Sequence, residues 1–159
     1  MIEVEIEDDR WTAAEPRCEV LALAAATAAL AAAMRSGRQA RAALAISLSS
    51  DAAVRDLNAR FRGKDAATNV LSFPPPDAFA AESLGDVALA YGVCAREASE
   101  QGKPLADHLQ HLVAHGVLHL LGYDHQRDAE AEAMEALERD ILAGLGVPDP
   151  YAADQGAHG

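Results

Sequence analysis

Between His115 and His125 the chain reads HGVLHLLGYDH, and few folds can carry such a string. His119 follows His115 by four positions, so on a helix the two imidazoles lie one turn apart on one face. Gly122 ends that helix and lets the chain turn back, so that His125 arrives from the following loop. Two histidines at this spacing arise by chance. Three in the frame HxxxHxxGxxH, with glycine where the chain must turn, point to one ion held by His115, His119 and His125. Three neutral nitrogens leave a fourth tetrahedral position open for water, the pattern of a catalytic zinc site, whereas a structural site is normally closed by four protein ligands. A water there would titrate near pH ~7. One zinc ion per chain is expected, although three imidazoles also suit other divalent transition metals such as nickel, copper or iron.

The frame is close to the HExxHxxGxxH string of zinc proteases, but Gly116 stands where those enzymes have the glutamate that serves as general base. Peptide hydrolysis is therefore not expected. His108 and His111 continue the stripe toward the start of the helix. His111 lies too far along to complete the same tetrahedron, and is placed either to contact substrate or to donate to a carboxylate that orients a ligand. Asp124, just before the third ligand, suits orienting a ligand, accepting a proton or capping the turn.

The rest of the chain supplies a scaffold for this helix. Ile2, Val4 and Ile6 alternate with Glu3, Glu5 and Glu7 as in a half-buried strand. An alanine-rich helix is expected from Glu15 to Met34, with Pro16 in its first turn and Gly37 past its end. A second strand follows over Ala42–Ser49, and Ser50 or Asp51 caps a short helix through Phe61. Asn69–Phe73 forms a third strand, stopped by Pro74, Pro75 and Pro76. Gly85-Asp86 leads into a fourth strand carrying Val87, Leu89 and Tyr91. Further helices are expected over Val93–Gln101, Pro104–Leu121 and Asp128–Leu142. The class is α+β: about four short strands in one mixed sheet, packed with about five helices, with the metal site at the end of a central helix. Residues 1–147 make one domain, and residues 148–159 a frayed tail.

A domain of this size buries roughly 70% of its unfolded surface and needs no disulfide framework. Cys18 and Cys94, far apart and outside any CxxC, read as two buried thiols in a reducing cytosol. The acidic, alternating N-terminus is unlike a signal peptide. Val20–Met34 is too short to span a bilayer and meets Arg35 at once. A cytoplasmic protein with no membrane partner is expected.

Acidic residues outnumber basic ones 25 to 13, a net charge of −12. That excludes a broad nucleic-acid coat, which needs Lys and Arg to neutralise phosphate, and leaves room for a narrow basic groove. Arg55, Arg60, Arg62 and Lys64 lie close together in sequence, away from most of the acid.

Two segments taken together, LNARFRGKDAATNVLSFP (Leu57 to Pro74) and HLVAHGVLHLLGYDH (His111 to His125), resemble the YbeY family of bacterial metal-dependent endoribonucleases. LGDVALAYGVCAREASEQGK is similar to that family's middle segment. The resemblance runs from about Asp51 to Leu142, and the first strand fits too. It implies that His115, His119 and His125 are the zinc ligands. It also implies that Arg62, in the RGKD string, is the catalytic arginine near the metal. A guanidinium there can fork onto a phosphate and stabilise charge developing on the phosphodiester. Arg60, Lys64 and His111 are the substrate-binding candidates. Two departures stand out. Ala66-Ala67 replaces a common Lys-Pro, which removes a charge and would loosen the loop. Ala114 replaces a larger β-branched residue.

The implied function is single-strand-specific endoribonuclease action in ribosomal RNA processing, at the 3′ end of 16S rRNA, and in ribosome biogenesis and quality control. Single-stranded rRNA and the small ribosomal subunit or its associated factors are the implied partners. Either a metal-bound hydroxide or the ribose 2′-hydroxyl is open as nucleophile. Two alternatives remain: a non-catalytic ribosome-assembly factor with a structural metal, and a zinc hydrolase of another substrate class, such as an amide or a small phosphoester.

Overall fold

A computed structural model describes residues 2–37, 43–75, 83–123 and 128–151. The element order is β1 (Ile2–Ile6), α1 (Arg10–Ala14), α2 (Cys18–Arg35), β2 (Ala43–Ser49), α3 (Asp51–Arg62), β3 (Val70–Phe73), β4 (Ser83–Ala90), α4 (Tyr91–Glu100), α5 (Leu105–Leu120) and α6 (Asp128–Gly144). One sheet runs in the order β1-β2-β4-β3. Strands β1, β2 and β4 are parallel, with Val4 opposite Ile46 and Ile46 opposite Val87, and β3 is antiparallel to β4 at the edge. The α+β class with a four-stranded mixed sheet is therefore observed.

Alternation in β1 and β2 turns Ile2, Val4, Ile6, Leu44, Ile46 and Leu48 to one face, where α2 and α5 cover them. The glutamates of β1 point outward. Helix α2 presents Ala22, Ala25, Ala26, Ala29, Ala32 and Ala33 to the core, all buried. So many small side chains let α5 come close, and Gln110 Nε2 donates to the Leu21 carbonyl across the interface at 3.3 Å. By length and composition α2 is apolar enough to cross a membrane. Here its alanine face is core, packed on α5 and β1.

Several boundaries differ from those the sequence predicts, each for a physical reason. A short α1 precedes α2, so six helices are described where about five are expected. Its anchor is Trp11, wholly buried, with Nε1 donating to the Ser49 carbonyl at 3.0 Å and the ring edge-on to Tyr91 at 5.4 Å. Pro16 consequently lies between two helices and not in the first turn of α2. Strand β4 begins at Ser83, four residues early, and Tyr91 belongs to α4. With α5 on one face and α3 on the other, Val87, Ala88, Leu89 and Ala90 are all buried, so the strand lacks the alternation that marks a half-exposed one. The chain from 148 to 151 packs against α6, with Arg139 Nε bridging Asp149 at 3.2 Å. The expected frayed tail therefore begins no earlier than residue 152, and residues 152–159 lie outside the described residues.

Gly85 sits in β4 at φ 129°, where an added Cβ would lie 2.5 Å from the Phe73 carbonyl oxygen. Gly85→Ala therefore forces an unfavourable backbone angle and pushes β3 away. A loss of about 2–3 kcal/mol is expected in urea unfolding. An unchanged midpoint would mean that β3 does not press on β4 at this point.

Candidate metal centre

Helix α5 ends at Leu121 and Gly122 with paired backbone bonds, Tyr123 N–H to Leu118 O (3.1 Å) and Gly122 N–H to His119 O (3.0 Å). Gly122 takes φ 97°, the left-handed turn that such a helix end demands. The glycine therefore has the role its place in the string suggests. The turn also brings the Tyr123 carbonyl back over the last helical turn, 3.1 Å from His119 Nδ1.

His115 and His119 project from the same face of α5, rings edge-on at 4.5 Å. His115 Nδ1 lies 2.7 Å from Glu138 Oε1. A carboxylate and a carbonyl can only accept, so both histidines carry their proton on Nδ1. Their Nε2 lone pairs then converge, 3.0 Å apart. Two nitrogens on one tetrahedral zinc would stand about 3.4 Å apart at ordinary bond lengths. Two lone pairs held this close fit a cation between them, so the donor set suits a metal.

Glu138 is wholly buried. Burial by itself would push its carboxyl up, but hydrogen bonds from His111 Nε2 (3.1 Å), His115 Nδ1 and the Tyr151 hydroxyl outweigh burial and hold it at about 2. It is therefore a carboxylate at neutral pH. His111, His115 and Glu138 bring ligand atoms within 4.8 Å of one another, and this group can also hold a metal ion. The two groupings use opposite nitrogens of His115. The Glu138 oxygens already accept three hydrogen bonds, whereas the His115 and His119 pair borders a cavity of about 650 Å3, so we favour the Nε2 pair.

Arg62 lines the same cavity, with Thr68, Asn69 and Ser72. Its Nη2 donates to the Ser72 carbonyl on the outer edge of β3 at 3.0 Å, which ties the last turn of α3 to the sheet. Arg60 lies two residues earlier, about 200° around the helix, and faces the other way. It pairs with Asp56 at 3.2 Å and lines a separate groove with Ser47 and Phe73. Lys64 is exposed in the loop after α3 and is not among the residues lining the cavity. His111 Nε2 faces Glu138 at 3.1 Å, and the residue lines a different cavity with His108 and Tyr151. His125 and Asp124 lie outside the described residues. Among the described residues, then, the structure gathers Arg62, His115 and His119 at one cavity and places Arg60, Lys64 and His111 elsewhere. The Ala66-Ala67 loop is not loose: Asn58 Nδ2 donates to Ala66 O at 2.9 Å, and Arg55 pairs with Asp65 at 2.7 Å.

Glu138 and Tyr151 were not singled out from sequence. Glu138 falls on the buried stripe of α6, with Met134, Ile141 and Leu142. An acid on an apolar stripe was the available signal. Gly116 also gains a meaning beyond a missing glutamate. A Cβ there would lie 2.8 Å from Val87 Cγ1 and 3.0 Å from Ser72 Oγ, so position 116 faces the sheet and has no room for a side chain. No carboxylate lines the cavity among the described residues.

Comparison with known proteins finds a family and a shared fold. A family model described as endoribonuclease YbeY matches residues 5–146. A relative named endoribonuclease YbeY from Rhodopseudomonas palustris (strain BisB18) is 54% identical over 158 residues, covering 94% of this chain and 91% of its own length. One of the same name from Chelativorans sp. (strain BNC1) is 52% identical over 129 residues, 79% of each chain. The solution structure of TM1509 from Thermotoga maritima shares the fold, with a TM-score of 0.54 at 20% identity over 91% of each chain.

Proposed function

The chain belongs to the endoribonuclease YbeY family, and from that premise we propose that it is a zinc-dependent endoribonuclease that cuts single-stranded ribosomal RNA. The observation that carries the metal-dependent part is the pair of Nε2 atoms of His115 and His119, 3.0 Å apart at the wall of a cavity that Arg62 shares. His125, arriving after the Gly122 turn, is the third ligand in this reading. When bound, the ion supplies Lewis acidity to a phosphoryl oxygen and lowers the pKa of a water at its open position.

The chain's own residues do the rest. His115 and His119 keep their Nε2 lone pairs turned to one point because Glu138 and the Tyr123 carbonyl hold their Nδ1 protons. Arg62 commits Nη2 to Ser72 O, and this orients the guanidinium so that its other N–H groups can fork onto a phosphate. A wall with no carboxylate among the described residues does not repel an incoming phosphodiester, although the chain as a whole carries −12. The acid lies elsewhere, on the outer face of β1 and along α6. This local absence reconciles an acidic protein with an RNA substrate. Unpaired strands suit the site because no base pairs need to be opened first.

In the cell we place this activity in the cytoplasm, on the small ribosomal subunit or its associated factors, at the 3′ end of 16S rRNA. The test is cleavage of a precursor 16S fragment by purified protein, with the same sequence annealed into a duplex as control. Cleavage of the single strand only, abolished by chelator and restored by zinc, is expected. Cleavage unaffected by metal removal would overturn the metal-dependent reading. Folded, zinc-loaded protein that binds the subunit without cutting would favour an assembly factor.

A further inference from the structure

Helix α6 buries a stripe of Met134, Glu138, Ile141 and Leu142, and Glu138 is the one charged member. An isolated carboxylate taken out of water is costly unless donors surround it. The donors come from three places: His111 and His115 on successive turns of α5, and Tyr151 in the segment after α6. Tyr151 is itself fixed. Its N–H donates to Asp149 Oδ1 at 2.8 Å, Arg139 lies over its ring at 5.3 Å, and its ring stands edge-on to His111 at 5.8 Å. The end of the described chain thus folds down on the carboxylate and closes it off.

We infer that Glu138 is the positioning residue of the metal centre, and that Tyr151 is the clasp that keeps its carboxylate aimed at His115. Glu138 accepts the Nδ1 proton of His115, fixes that tautomer, and so leaves Nε2 as the only nitrogen able to ligate. His119 obtains the same orientation from the Tyr123 backbone carbonyl. A carboxylate behind a ligating imidazole also raises the ligand's basicity, and losing such a partner typically costs about 10–100-fold in metal affinity. This inference rests on the three-histidine reading of the centre.

The test uses full-length Glu138→Leu, Glu138→Gln and Tyr151→Phe proteins. Leucine completes the apolar stripe of α6 and removes the acceptor, whereas glutamine keeps one acceptor oxygen. Zinc affinity is measured by competition with a chromophoric chelator, and the His115 tautomer by long-range proton–nitrogen correlation spectra of the zinc-free protein. Glu138→Leu is expected to weaken zinc about 10–100-fold and to populate the Nε2–H tautomer of His115. Glu138→Gln should recover part of both, and Tyr151→Phe should show a several-fold loss of affinity. Tyr151→Phe leaves α6 untouched and carries the test if the leucine variant does not fold. Wild-type affinity and an unchanged tautomer in the folded variants would overturn the inference. So would complete loss of zinc in Glu138→Gln, which would make Glu138 a ligand. The reading beneath fails separately: if His119→Ala alone, with Glu138 and Tyr151 intact, keeps the zinc affinity of the wild type, the ion sits elsewhere.

Discussion

His119→Ala protein should fold, carry no zinc, and cut single-stranded RNA about a thousandfold more slowly than the wild type, or worse. His119 is half-exposed at the cavity wall, and its Nδ1 is bonded to the Tyr123 carbonyl. Losing that hydrogen bond costs about 1 kcal/mol, small against the stability of a domain this size. The ion, in contrast, loses one of three nitrogens, and His115 Nε2 loses the neighbour 3.0 Å away with which it would share the ion. Metal content by mass spectrometry, thermal unfolding and cleavage should therefore separate cleanly: the first and third collapse while the second barely moves. Cleavage at the wild-type rate by a folded, zinc-free variant would mean that the observed nuclease is a contaminant.

Arg62→Ala is expected to retain both fold and zinc, and to lose about 10²–10³ in kcat, the usual cost of one donor aimed at developing charge. Arg62 is exposed at the last turn of α3 and touches neither the Nε2 pair nor Glu138. The deficit should fall in kcat more than in KM if the guanidinium meets charge that appears only in the transition state. Arg62→Lys should recover little, because a point charge cannot bond Ser72 O and fork onto a phosphate at once. Arg62→Glu should be the most severe, since it replaces a positive charge at the cavity by a negative one. Unaltered turnover in Arg62→Ala would remove the arginine from the chemistry, and loss of zinc would make its role structural.

What could be read in the sequence depended on whether a feature was local. Strands β1 and β2 are half-exposed, so their alternation survives in the text. Ser50 caps α3 with Oγ accepting from Ala53 N–H at 3.1 Å, a bond made within four residues. The Gly122 turn is equally local. Trp11 is harder to read, because α1 forms around a hydrogen bond to Ser49, 38 residues away. Glu138 meets His115 across 23 residues of chain and Tyr151 meets His111 across 40, and α6 is so rich in acid that one buried glutamate does not announce itself. Arg60 and Arg62 look equivalent in the string RFRGK, and only the helix rotation sends them to different sides.

The crowding at Gly116 has an evolutionary side. With Val87 and Ser72 pressed against the backbone there, and Ser72 Oγ donating to Gly116 O at 3.0 Å, α5 can neither slide nor roll on the sheet. The histidine wall is frozen by the same packing that builds the core, so mutations that would retune it also threaten folding. Asn69, in the loop before β3, is fixed as well: its carbonyl accepts from Ala90 N–H at 3.0 Å and its Nδ2 donates to Glu97 at 3.0 Å. The cavity is therefore bounded by the fold's own packing and hydrogen bonds, and substitutions that reshape it carry a cost in stability.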